Sequence, residues 1–348
     1  MKDIWHSRSH LQQRPEYYRR SMRNTRSLAR TIGVAAAALV IPLVLGSTVV
    51  ASSSPMTPRT QQISSAPLRL GIINPNGPSA TWELDQIESV LGERASLAVI
   101  YKDFAQPAPI AELDAADARG SKTLLTWEPW AAGAGVVQPD FQSSDITAGR
   151  YDAYITEWAR ALASWGKPVM LRYAHEMNGN WYPWADRVNG NTDGDYVRAY
   201  RHVHDLFTAA GASNVEWVWN PNVPNAVPMS VVYPGSQYVD VVGLDGYNWG
   251  TSQSWSAWQT PDQLFGDGLT QVRALALGKP IVLGEVASAE AGGSKPAWIT
   301  RLIEYLAAQP DVTGFLWFDM NKEVDWRIDS SPASAAAMAS ALAARPRS

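Results

Sequence analysis

Cysteine is absent from the 348-residue chain, so no disulfide is available to it and the fold must rest on its own core. Charge is sparse: 18% of residues are Asp, Glu, Lys or Arg, against 46% hydrophobic, which excludes a disordered or collagen-like polymer. Histidine is scarcer still, with His175, His202 and His204 the only ones after the first 51 residues. His202 and His204 fall on a predicted amphipathic helix and read as surface residues, so a histidine-rich metal centre lacks material. Net positive charge is also missing from most of the chain. The first 30 residues carry eight Lys/Arg and two acids, net +6, which leaves 21 basic and 31 acidic residues, net −10, for the other 318. An acidic body repels phosphate, so a nucleic-acid partner is disfavoured and a neutral or cationic ligand is favoured.

The basic head, residues 1–30, precedes a segment at 31–51 whose stretch Ile32–Ala51 holds 20 residues without a charge. At about 1.5 Å per residue that run spans a hydrocarbon core of roughly 30 Å. Basic flank, apolar run and the small ending Val49-Val50-Ala51 fit a secretory signal cleaved after Ala51; uncleaved, the same run is a membrane tether with its basic end inside. Either way the body is expected outside the cytoplasm, secreted or anchored on the outer side of the membrane. Residues 52–66, rich in Ser, Thr, Pro and Gln, read as a linker. The body proper then runs over 67–345.

Eight strand candidates recur at fairly regular intervals: Leu68–Ile73, Leu97–Phe104, Thr123–Glu128, Val169–His175, Val215–Asn220, Val239–Tyr247, Ile281–Val286 and Val312–Asp319. Helical spacing fills several gaps, as in Tyr154/Trp158/Leu162/Trp165, Val197/Tyr200/Val203/Phe207 and Trp298/Leu302/Tyr305. Strand and helix alternate over a length that suits a single (β/α)8 TIM barrel, and the Gly-rich first turn of a doubly wound dinucleotide-binding sheet is missing. Several candidates end in polar or aromatic residues: Trp127-Glu128, His175-Glu176, Trp219-Asn220, Asp245-Gly246-Tyr247, Glu285 and Trp317-Phe318-Asp319. In a barrel such ends converge on one face, where active sites sit.

Two ends stand out. In Leu171-Arg172-Tyr173-Ala174-His175-Glu176-Met177-Asn178-Gly179-Asn180-Trp181-Tyr182-Pro183-Trp184, an apolar strand runs into a His-Glu pair and an aromatic turn. Gly179 stands where a zinc protease motif requires its second histidine, so that metal reading fails. In Lys279-Pro280-Ile281-Val282-Leu283-Gly284-Glu285, an almost wholly apolar strand terminates in one carboxylate. Strands four and seven thus bring two glutamates to one mouth, the pair that glycoside hydrolysis requires: one to protonate the leaving oxygen and one to attack the sugar carbon. No metal or organic cofactor is needed for it.

The segment Arg-x-x-His-Glu-Met-Asn-Gly followed by Trp, with the later Gly-Glu, resembles glycoside hydrolase family 26, retaining endo-acting (β/α)8 enzymes. The resemblance implies Glu176 as general acid/base and Glu285 as nucleophile. It places His175 in the −1 subsite, Tyr247 as the tyrosine bonding the nucleophile, and Trp317 as the aromatic platform under the sugar. Substrates in the family are most often β-1,4-mannan, with mixed-linkage β-glucan and β-1,3-xylan as alternatives, and β-mannan is expected first here. A non-catalytic carbohydrate-binding barrel is the competing class, disfavoured because binding alone would not need both glutamates. A polysaccharide partner and a monomeric protein are expected.

The surroundings suit such chemistry. Trp181, Tyr182 and Trp184 are expected to desolvate Glu176 and favour its acid form, while Tyr247 stabilises the charge of Glu285. Arg172 lies on the same side of its strand as Ala174 and Glu176, either supplying positive charge beneath the carboxylates or pairing an acid inside the barrel. Of the 15 Trp after residue 51, Trp158, Trp165 and Trp298 are expected in the core. Trp127, Trp130, Trp181, Trp184, Trp249 and Trp317 follow strand ends and are candidates to stack on sugar rings. Asn220 and Asp245 are candidates to bind sugar hydroxyls.

Overall fold

The computed structural model describes residues 68–346. The basic head, the apolar run and the whole linker lie outside these residues. Among the described residues no helix is long and apolar enough to cross a membrane. Eight parallel strands close into a barrel in sequence order: β1 (Arg69–Ile73), β2 (Leu97–Asp103), β3 (Lys122–Glu128), β4 (Val169–Tyr173), β5 (Val215–Trp219), β6 (Val241–Asn248), β7 (Ile281–Ser288) and β8 (Val312–Phe318). β8 returns to pair with β1 through Arg69 to Ile73, so no edge remains open. Each expected strand forms within a few residues of its expected bounds, and the (β/α)8 architecture is the one that the sequence pattern implies.

The helices are α1 (Thr81–Leu91), α2 (Ile110–Ala118), α3 (Ser143–Thr147), α4 (Asp152–Trp165), α5 (Asp195–Ala209), α6 (Pro261–Leu275), α7 (Lys295–Ala307) and α8 (Pro332–Ala344). Between β5 and β6 the connection holds a short 3-10 turn, Ser236–Tyr238, in place of an α-helix. The apolar spacing read from sequence is the buried stripe: Trp158 and Leu162 on α4, Tyr200, Val203 and Phe207 on α5, Trp298 and Leu302 on α7. Each large apolar side chain so buried contributes roughly 1.5–3 kcal/mol. α6 opens with a capping box, Thr260 and Gln263, and Pro261 at its first position. His202 pairs with Asp152 and His204 with Asp205, but both are half-buried and His204 packs on Trp217 and Tyr238, so neither is the exposed surface residue expected.

Alternation along the strands sorts the side chains. On β3, Thr126 and Glu128 point into the barrel and Trp127 points out; on β4, Arg172 points in and Tyr173 out. The outward side chains meet the helices and form the main core. The inward ones near the strand ends are polar, and they build the mouth.

Candidate active site

β4 ends at Tyr173, but the chain keeps pairing beyond it: the Ala174 N–H donates to the Trp127 carbonyl and the Glu176 N–H to the Asn220 carbonyl, at 3.0 and 2.8 Å. Ala174 and Glu176 have φ of 49° and 54°, a left-handed conformation that is costly for residues with a Cβ and that tends to persist at functional sites. These two reversals flank His175. They turn the His175 ring and the Glu176 carboxyl into the mouth.

Glu176 is buried and held by neutral donors. Asn222 Nδ2 donates to Oε1 at 2.5 Å and the Trp181 indole to Oε2 at 2.6 Å. Asn178 in turn clamps Asn222 by its backbone, accepting from its N–H and donating to its carbonyl, both at 2.8 Å. Gly179 is required here because the Trp181 ring lies against it: a Cβ on Gly179 would meet that ring at 2.4 Å. The consecutive Asn178-Gly179 therefore serve one end, aiming two donors at Glu176.

Glu285 sits where β7 is irregular. Its register with β8 shifts between Leu283 and Val286, an extra residue of the kind that re-aims side chains beside active sites. Gly284 lets the strand pass over a polar layer, for a Cβ there would meet Asn220 Oδ1 at 2.3 Å and Arg172 Nη1 at 2.8 Å. Arg172 Nη2 and the Tyr101 hydroxyl each donate to Glu285 Oε1 at 2.8 Å, and the Tyr247 hydroxyl donates to Oε2. Burial by itself would raise the Glu285 pKa, but the Arg172 charge and the two phenols overcome it and hold the carboxyl well below its usual range. Arg172 Nη1 also donates to Asp245 Oδ2 at 3.0 Å, and Nε to Thr126 at 2.8 Å. Both functions left open for Arg172 are thus filled: it places positive charge beneath the nucleophile candidate and pairs an acid inside the barrel.

Other candidates fall differently. His175 is buried between Tyr101, Tyr182 and Trp184, its Nε2 3.6 Å from Glu285 Oε1. Trp184 is buried too; it stacks under Tyr182 at 4.2 Å and donates to the His175 carbonyl, so it supports the mouth from below and offers no face to a sugar. Trp181, Trp130 and Trp249 are half-buried at the strand ends. Trp127 and Trp317 require correction. Trp127 is 0% exposed and stacks on Trp158 of α4 at 4.4 Å; Trp317 is 0% exposed, edge-on to Trp298 of α7. Each is an outward residue of its strand, one step out of phase with the mouth, and belongs to the core. The aromatic side chains packed on Tyr247 are instead Trp326, from the loop after β8, at 5.1 Å, Phe318 at 5.6 Å and Trp249 at 6.5 Å. Asn220 and Asp245 are likewise corrected: both are 0% exposed, one layer below the mouth in the Arg172 network, where a sugar hydroxyl does not reach. Burial pushes the Asp245 carboxyl upward, and the Glu285 charge adds to that push.

Sequence reasoning missed Tyr101, Thr126 and Asn222, and named Glu128 only as a strand end, without a role. Glu128 and Tyr101 had a readable signal, a polar side chain near a strand end at inward parity; Asn222 follows β5 in a loop and had none. His175, Asp245 and Glu285 bring ligand atoms within 4.8 Å of one another, yet the guanidinium already supplies the positive charge for both carboxyls. This donor set serves Arg172 and does not suit a metal ion.

The sequence of the barrel can be set beside known proteins. Residues 141–279, which carry Glu176 and the strands on either side of it, match the model of glycosyl hydrolase family 26. This stretch of the barrel belongs to that family. Endoglucanase H of Acetivibrio thermocellus is 44% identical to it over 250 residues, which are 70% of this chain and 26% of that protein. A mannan endo-1,4-beta-mannosidase of Bacillus subtilis is 31% identical over 160 residues, 44% of this chain and 40% of that protein. The chain therefore spans less than half the length of these relatives. Among solved structures, a family 26 β-mannanase of Bacteroides ovatus superposes with a TM-score of 0.60 at 19% identity, covering 82% of this chain and 90% of that one. At that identity the likeness speaks for the barrel alone.

Proposed function

We propose that the barrel is a retaining endo-β-glycanase in which Glu285 attacks the anomeric carbon while Glu176 protonates the leaving oxygen. The observation that carries this reading is the contrast between the two carboxyls. A guanidinium and two phenols surround Glu285, whereas an amide and an indole hold Glu176. The first environment keeps a nucleophile ionised; the second fixes the orientation of the other carboxyl through two neutral donors, an amide and an indole. In the first step the Glu285 carboxylate forms a covalent glycosyl ester as the aglycone leaves with the Glu176 proton. In the second, Glu176 takes a proton from water, which displaces Glu285 and restores both groups. Such a pair works at a separation of about 5–5.5 Å.

For the substrate, 44% identity to a protein named an endoglucanase, against 31% to a mannosidase, favours a β-glucan. β-Mannan, expected first from sequence, becomes the second reading. Mannose and glucose differ in one hydroxyl, so discrimination rests on a few hydrogen bonds at the mouth. The basic head and the apolar run Ile32–Ala51 support export of the chain to such a polymer.

Release of reducing ends from lichenan, galactomannan and β-1,3-xylan tests the reading, with Glu285→Ala and Glu176→Ala beside the wild type. Lichenan should be cleaved fastest. Azide should rescue Glu285→Ala with inversion of the product. A wild type that binds one of these polymers and cleaves none is a binding barrel, and the glycanase reading fails.

A further inference from the structure

His175 is buried, and neither of its ring nitrogens makes a hydrogen bond. Nε2 lies 3.6 Å from Glu285 Oε1, and Nδ1 lies 4.0 Å from Glu128 Oε1. The ring is thus suspended between two carboxyls. Burial and the nearby Arg172 charge lower its pKa to about 3, against a smaller opposing pull from Glu285, so at neutral pH it is an uncharged imidazole with one N–H and one lone pair.

The charge of Glu285 decides which nitrogen carries the proton. An ionised carboxylate only accepts hydrogen bonds, so the nitrogen facing it, Nε2, must be the donor. Nδ1 then turns its lone pair toward Glu128. An ionised Glu128 would set one lone pair against another between two buried side chains. A protonated Glu128 would meet the same lone pair with an O–H. We propose that Glu128 is a third carboxyl of the mouth, kept in its acid form as the hydrogen-bond donor that fixes His175 in its Nε2–H tautomer toward Glu285.

The surroundings of Glu128 agree. It ends β3 at inward parity and is buried, with the Trp130 indole donating to its Oε2 at 3.1 Å, which leaves Oε1 toward the imidazole. Arg172 bonds Glu285, Asp245 and Thr126, and Lys102, in register with the outward Trp127, is taken by Glu112. The charged neighbours that bear on Glu128 are Arg172, which lowers its pKa, and Glu285 and Asp103, which raise it. Burial outweighs the Trp130 bond and Arg172 and pushes the carboxyl up to about 8. Tyr101, Tyr182 and Trp184 ring the imidazole and offer it no competing charge. At 4.0 Å the gap closes by a small side-chain rotation or through one water. Glu128 is a positioning residue in this scheme. It acts on the nucleophile through His175, giving Glu285 a further donor without a second cation, and so deepens the proposed glycanase reading.

Proton-detected 15N spectra of the full chain, labelled at the histidine side chains, read the tautomer directly, with His175→Gln assigning the signals. The wild type should show a neutral Nε2–H imidazole at position 175, whose nitrogen shifts move in one step near pH 8 as Glu128 ionises. Glu128→Gln should lack that step, with His202 and His204 unchanged. A wild-type Nδ1–H tautomer overturns the proposal, and that spectrum decides even if the variant does not fold. A step in the ordinary carboxylate range of about 4 to 5 overturns it as well, as does survival of the alkaline step in Glu128→Gln. If the spectra behave as expected in a protein that cleaves no polysaccharide, the assignment of Glu128 stands and the glycanase reading falls.

Discussion

The indole N–H of Trp181 meets Oε2 of Glu176 at 2.6 Å, five residues along the chain from the carboxyl it orients. The bond exists because the turn between them folds back over a residue without a side chain. Trp181 is thus a ligand of the acid/base candidate as well as an aromatic surface at the mouth. The two functions separate by substitution.

Gly179→Ala tests the turn. The added methyl would displace the Trp181 ring and break the bond to Glu176, while the clamp from Asn178 to Asn222 stays. Loss of one hydrogen bond between neutral groups is worth about 0.5–1.5 kcal/mol, so kcat/KM should fall roughly 2- to 10-fold. Trp181→Phe should fall by a similar factor, and the double variant by little more than either alone. Losses that multiply in the double variant would show that Gly179 acts elsewhere.

Arg172→Met tests the polar layer. Arg172 is 0% exposed and bridges Glu285 and Asp245, so its removal leaves two buried carboxyls without their cation. Breaking such a pair costs about 3–5 kcal/mol, which urea or thermal unfolding will read. Restoring part of that stability by adding Asp245→Leu to Arg172→Met is expected; no recovery would place the loss outside this network.

The barrel itself was open to reading from the sequence because its signal is repeated: eight apolar runs, each bounded by turns, with helical spacing between. Glu176 and Glu285 were open to reading because a lone carboxyl after an apolar strand has few structural uses. Trp127 and Trp317 were misplaced for a physical reason. Strand-end position says which face of the barrel a residue nears, but parity says whether it points in, and a bulge such as that at Gly284-Glu285 resets the parity. Asn222 reaches Glu176 only through the clamp from Asn178, a contact between two loops that no local pattern encodes. Trp326 likewise arrives from the loop after β8, nine residues past Trp317, whose indole donates to its carbonyl at 2.8 Å.

Trp127→Ala follows from the corrected placement. Deleting a buried Trp costs about 3–5 kcal/mol through lost burial and a cavity. The folded fraction, measured below the unfolding transition, should keep kcat/KM within about twofold of wild type, since surface and core changes act through stability alone when the site is untouched. A large rise in KM with unchanged stability would return Trp127 to the cleft.

Glu128→Gln bears on stability as well as on the imidazole. A carboxyl whose folded pKa is raised, here to about 8, stabilises the fold fully below its ordinary value, and that contribution is lost as pH rises through the folded value. Wild type should therefore lose stability relative to Glu128→Gln between about pH 4.5 and pH 8. Over the whole window the difference is about 5 kcal/mol, on the order of ten degrees in Tm for a domain of this size. Parallel Tm profiles for the two proteins would mean that Glu128 ionises normally.

Tyr101 and Tyr247 donate to different oxygens of Glu285, Tyr101 to Oε1 beside Arg172 and Tyr247 to Oε2. Each phenol favours the ionised carboxylate, so removing either hydroxyl favours the acid and must move the nucleophile's pKa upward. Tyr101→Phe and Tyr247→Phe should each shift the acidic limb of the kcat/KM profile to higher pH. They should differ in the plateau. Tyr101 sits with Arg172 on an oxygen that keeps its guanidinium partner after substitution, so the remaining charge compensates in part. Tyr247 is the donor to Oε2, and its loss leaves that oxygen without a phenol partner, so the plateau should fall further in Tyr247→Phe, by about tenfold or more for a charge-assisted bond. An acidic limb that stays in place in both variants would show that Arg172 alone sets the ionisation of Glu285.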